Sequence, residues 1–166
     1  MLDFLFGNQK KMEQRGARPR LEVLEDRCTP ATYAVDTPRD LPGMDQPGFR
    51  TLRWAIDQAN NNQGLDYIVL LQADYRIYSA LPEINDNVEI HGAGAGLTTI
   101  ERDIAGLDFR IFKVNSGKEL LLNGMNLKNG VAPSNQDGGG VQVLGKATLT
   151  DVVVESCQAR NGGAVA

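Results

Sequence analysis

Leu120-Leu-Leu122-Asn-Gly-Met125-Asn-Leu127 is answered 27 residues later by Leu149-Thr-Asp-Val152-Val-Val154. Leu122, Met125 and Leu127 fall on Leu149, Val152 and Val154, so the apolar positions keep their spacing from one stretch to the next. Phe112-Lys-Val114 precedes the first stretch as Val141-Gln-Val143 precedes the second. The closing Gly162-Gly-Ala-Val-Ala166 echoes Gly139-Gly-Val-Gln-Val143 at an offset of 23. A self-similarity of 23–29 residues, with about three short strands in each unit, marks a stacked repeat.

Such a repeat predicts strands that pair with their equivalents one unit away, ~4.8 Å apart. Leu122 against Leu149 and Leu127 against Val154 would form inward apolar columns, while Lys113, Asn126, Gln142 and Glu155 face solvent. Gly124, Gly130 and Gly145 would supply corners where φ turns positive. Pro133-Ser-Asn-Gln136 reads as a loop bulging from one unit. Upstream, short alternating or apolar runs continue at Asp66–Leu71, Tyr75–Tyr78, Asn87–Ile90, Thr98–Glu101 and Phe109–Val114, with Gly, Asn, Asp or Pro in most intervals. The expected fold is therefore all-β, a right-handed parallel β-helix over residues 66–166.

Before the repeat the period is different. In Thr51-Leu-Arg-Trp-Ala-Ile-Asp-Gln-Ala-Asn60, Leu52, Ala55, Ile56 and Ala59 recur at i, i+3, i+4 and i+7, which is one face of a helix. Thr51 is placed to cap its start, and Asn60-Asn-Asn-Gln-Gly64 to end it. Residues 32–65 thus hold a short strand, a Pro/Gly/Asp-rich loop and an amphipathic helix expected to cap the first turn of the solenoid. Residues 1–31 read as a separate, flexible segment. It carries six basic and five acidic side chains, against eleven and sixteen in residues 32–166.

Two stretches carry resemblances. Arg18-Pro-Arg-Leu-Glu-Val-Leu-Glu-Asp-Arg-Cys-Thr-Pro-Ala31 resembles the N-terminal segment of planctomycete-type exported and surface proteins, with Cys28 and Thr29 where many members have Leu or Val. That resemblance implies export or sorting, with a secreted or cell-surface location. The helix motif with Gly64-Leu-Asp-Tyr-Ile-Val69, Leu81-Pro-Glu-Ile84, Val88-Glu-Ile-His-Gly-Ala-Gly-Ala-Gly96 and Gly138-Gly-Gly-Val141 is similar to pectate-lyase-like and adhesin or polymorphic outer-membrane repeat proteins. That likeness covers about residues 50–166 and implies a fold far more than an activity.

Composition narrows the chemistry. The acidic character of residues 32–166 disfavours nucleic acid as a partner, and no run approaches the ~20 apolar residues of a membrane span. His91 is the single histidine, which disfavours a Ser/His/Asp triad or a histidine zinc site. Cys28 and Cys157 have no metal-ligand spacing. Gly92-Ala-Gly-Ala-Gly96 reads as a tight corner, because strand-like Leu97-Thr-Thr-Ile100 follows it where a dinucleotide site needs a helix. Asp103, Asp108, Asp137 and Asp151 match no calcium-loop pattern. Arg102, Arg110 and Arg160 are basic side chains of the kind that polysaccharide lyases use on β-helices, but none stands in a matching motif.

The expected function is accordingly a non-catalytic exported or cell-surface module for adhesion or scaffolding. No catalytic, cofactor or metal residues are assigned. Surface glycans or other cell-surface proteins are the expected partners. The unpaired last repeat predicts either further repeats beyond Ala166 or self-association through the open C-terminal edge. The alternative is the N-terminal part of a carbohydrate-active lyase or hydrolase whose catalytic residues lie beyond Ala166.

Overall fold

The computed structural model describes residues 29–40 and 48–166. Among them the chain runs β1 (Thr32–Val35), β2 (Arg39–Asp40), α1 (Leu52–Asn61), β3 (Asp66–Leu70), β4 (Ala73–Ile77), β5 (Val88–His91), β6 (Thr98–Arg102), β7 (Phe112–Val114), β8 (Glu119–Lys128), β9 (Val141–Val143) and β10 (Lys146–Glu155). All the strand pairings are parallel. Among the described residues eight strands form one sheet, ordered β1-β3-β5-β8-β6-β4-β2 with β10 also on β8, while β7 and β9 pair in a second.

The right-handed parallel β-helix expected from the repeat is not what the chain forms. The strands make a curled, half-barrel parallel sheet, with a single short helix among the described residues. The difference is concentrated at Gly124. A corner expected there would separate two strands, but Gly124 takes φ +67° inside β8 and the ten-residue strand carries on through it. The first half of β8 pairs with β5 and the second half with β6, so two arms of sheet are fused into one curved surface. The remaining wall is slight: β7 and β9 have three residues each, extended by isolated bridges at Ile84–Val114 and Val141–Val165.

Within that sheet the 27-residue register is present. Leu149 pairs with Leu122, Val152 with Met125 and Val154 with Leu127. Continued through neighbouring strands, it makes one apolar column of Ile68, Ile90, Leu122 and Leu149 and another of Tyr75, Ile100, Leu127 and Val154. Ile68, Ile90, Ile100, Leu122 and Leu127 are fully buried. Each such side chain contributes about 1.5–3 kcal/mol by leaving water. The C-terminal echo runs one residue longer than expected, since Val165 bridges to Val141. Gly130 and Gly145 lack the positive φ expected of corners. They serve close backbone approach instead, because a Cβ would collide with the carbonyl of Gly139 or of Lys118.

The helix forms as its pattern requires. Leu52, Ala55, Ile56 and Ala59 are buried, and the Thr51 hydroxyl accepts a hydrogen bond from the Trp54 amide. In place of the solenoid cap expected, α1 packs against β1 and β3 and contributes its apolar face to the common core. No helix among the described residues is long and apolar enough to cross a membrane. The segment that resembles an export signal lies, apart from Thr29–Ala31, outside the described residues, as does Cys28.

Candidate functional site

Most of the charged side chains singled out by motif or chemistry are engaged in holding the fold. Arg53, on α1, grips Asp40 of β2 and also donates to the carbonyls of Ser79 and Ala80. Asn60, at the far end of the helix, donates to the Glu83 carbonyl and accepts from the Asn85 amide. Asp66, fully buried at the start of β3, accepts from the Ala31 amide and from Asn62. These residues belong to the motif that resembles surface repeat proteins, and each one ties the helix or its following turn to a strand or to the 79–85 segment.

The arginines separate on the same criterion. Arg102 is 6% exposed and donates to the carbonyls of Asn129, Asp103 and Leu107, with Asp108 at 3.5 Å and the Phe109 ring beneath it. Arg160 pairs on the surface with Asp137. Arg110 differs from both. It is 8% exposed, and its one hydrogen bond among the described residues runs from Nη2 to Gln136 Oε1 at 2.5 Å. Its Nε is buried, with no acceptor among the described residues. A buried donor left in that state costs about 1–3 kcal/mol.

Arg110 lines a cavity of about 210 Å³ between the Ala80–Glu83 segment, the approach to β7 and the loop carrying Gln136. Leu81, Phe109 and Ile111 give it apolar walls, and all three are buried. Lys113 and Glu83 stand at its polar side, joined at 2.6 Å. Asn115 takes the other Glu83 oxygen at 2.9 Å. The hydrogen bonds from Lys113 and Asn115 hold the Glu83 carboxyl below its ordinary range. Burial pulls the Arg110 guanidinium down, partly opposed by the charge of Glu83. Lys113 and Glu83 balance, which leaves the cavity with the charge of Arg110.

The four aspartates weighed for calcium stay apart. Asp103 accepts from the Ala105 amide, Asp108 lies beside Arg102, Asp137 holds Arg160 and Asn161, and Asp151 faces the Ala95 amide. Among the described residues no group of three or more His, Cys, Asp or Glu is arranged to hold a metal ion. His91 lies on β5 with Nε2 3.0 Å from Glu89 Oε2 and the Tyr67 ring alongside. Gly92–Gly96 forms the turn from β5 to strand β6, its amides donating to the carbonyls of Asn123 and Gly124. Cys157 is half-buried, and burial raises its thiol pKa.

Sequence reasoning placed Arg110 beside Arg102 and Arg160 without distinguishing them, and took Gln136 for a loop residue only. One signal was present. Arg110 interrupts the apolar run Phe109–Val114, where Phe109, Ile111 and Phe112 are all buried, so a charge there is enclosed rather than solvated.

The class this fold and site define is a β-rich chain built on a curled parallel sheet, with one short helix among the described residues and a small cavity of positive charge. No family model, curated protein or solved structure matches the chain.

Proposed function

We propose that this chain is a non-catalytic exported or cell-surface module, acting in adhesion or as structural scaffold. One observation carries the reading: its ionic side chains join strand to strand and segment to segment. Lys113 meets Glu83, Lys118 meets Asp86 and Lys146 meets Glu119, over sequence separations of 30, 32 and 27 residues. Ladders of this kind fix which strands lie side by side, and they add specificity of pairing more than energy. The export motif at Arg18–Ala31 supports the location by resemblance. The outer edge of β10, which among the described residues pairs with β8 alone, offers backbone where a further strand can add. Surface glycans or other surface proteins are the partners this reading favours.

The test sets binding beside turnover. The purified chain is applied to a glycan array and, in parallel, incubated with acidic and neutral polysaccharides while new reducing ends and unsaturated products are followed. Binding or self-association without turnover is the expected result. Turnover that survives repurification and is lost on mutation would overturn the proposal in favour of a carbohydrate-active enzyme. Residues 1–31 fused to a reporter test the location: retention of the reporter inside the cell would contradict it.

A further inference from the structure

We infer that the cavity beside Arg110 is a binding site for a small monocarboxylate carried on an apolar body. The inference stands independently of the scaffold reading.

A guanidinium has five N–H donors. Among the described residues Arg110 has one of them engaged, by the neutral oxygen of Gln136, and its Nε lacks an acceptor altogether. The side chain is more than nine-tenths buried and lines the cavity. Arg102, buried to a similar degree, shows what this fold does with a structural arginine: three carbonyls and a carboxylate surround it. Among the described residues Arg110 has no such partners, and Glu83, whose charge acts on it, is already held by Lys113 and Asn115. Nε is sealed from the cavity, so the donors open to a ligand are those of the Nη edge, which suit an anion that can accept two bonds at once.

The surroundings choose among anions. Lys113 is neutralised by Glu83, so one positive charge remains for the ligand. A phosphate dianion would need a second cation and would sit against Glu83, whereas a carboxylate matches both the charge and the planar fork. Leu81, Phe109 and Ile111 would be desolvated only by an apolar body attached to that carboxylate. The volume of about 210 Å³ suits a single ring or a short branched chain. Gln136 would stay as a second polar contact to the ligand.

Calorimetric titration of the full chain tests this with benzoate, its uncharged counterpart benzyl alcohol and inorganic phosphate. Benzoate is expected to bind saturably with one site per chain, at least about tenfold more tightly than either of the others. Arg110→Met should weaken benzoate by a similar factor while leaving benzyl alcohol unchanged. Gln136→Ala, on an exposed loop, provides a second variant that leaves the core untouched, and weaker benzoate binding is expected there, unchanged binding counting against the inference. No saturable benzoate binding, equal binding of benzyl alcohol, tighter binding of phosphate, or undiminished benzoate binding by folded Arg110→Met would each overturn the inference.

Discussion

Arg53 holds both carboxylate oxygens of Asp40, with Nε at 3.1 and 3.0 Å and Nη2 2.6 Å from Oδ2. The pair joins α1 to β2, and through the Ser79 and Ala80 carbonyls it reaches the chain leaving β4. Asp40 is 5% exposed and Arg53 16%. Removing one partner leaves a desolvated charge behind, so Arg53→Met should lower stability by about 3–5 kcal/mol. Arg110→Met removes a buried charge that has no ion pair among the described residues and leaves behind only the exposed Gln136 amide, so it should change stability little or raise it. Urea unfolding of the two variants side by side checks the contrast, and equal losses would contradict it.

Gly124 lets β8 run unbroken. Its φ is +67°, and a Cβ there would lie 3.2 Å from the Gly92 carbonyl oxygen and 3.2 Å from the Gly94 amide nitrogen. Gly117 has a comparable φ of +74° but open space around it. Gly117→Ala should therefore lose only the left-handed conformational term, roughly 1–2 kcal/mol. Gly124→Ala should lose that and more, because neighbouring backbone must shift. Denaturant midpoints decide it, and a smaller loss at Gly124 would show that β8 does not pass close to the β5–β6 turn.

Acid should loosen the fold through carboxylates that tie segments together. Burial would raise Asp86, but bonds from the Gly64 and Asn87 amides and from Lys118 outweigh it and hold its carboxyl below the ordinary 3.8. Glu83 lies below its ordinary 4.5 for the reasons given above. A carboxyl with a lowered folded pKa binds fewer protons folded than unfolded. Its contribution is full above the ordinary value and is lost as pH falls through the folded one. Thermal midpoints should hold steady near neutrality and decline below about pH 5. Lys118→Met should melt lower than the parent at neutral pH, with the gap closing in acid. A gap that widens in acid would contradict the assignment.

Local pattern was legible where one period ruled. The face of α1 and its Thr51 cap could be read directly, as could the 27-residue register of β8 and β10, because side-chain spacing alone determines both. The closure of the sheet could not. Asn123-Gly124-Met125 serves equally as a corner or as a bend within a strand, and the choice depends on the Gly92–Gly94 backbone lying against it. The Arg110 cavity was hidden for a related reason: it is assembled from Leu81, Arg110 and Gln136, which are far apart in the chain and share no motif.

The register of β8 with β10 on both sides of Gly124 is what a single continuous β8 requires, and disulfide trapping measures it most directly. Leu121 faces Thr148 before the glycine and Asn126 faces Val153 after it, both at the same offset. In a chain with Cys28→Ser and Cys157→Ser, the pairs Leu121→Cys with Thr148→Cys and Asn126→Cys with Val153→Cys should each oxidise readily, because neighbours in one sheet fall within disulfide reach. Leu121→Cys with Thr150→Cys should not. Efficient trapping of the shifted pair, or of only one half of β8 at the 27-residue offset, would contradict a single continuous β8.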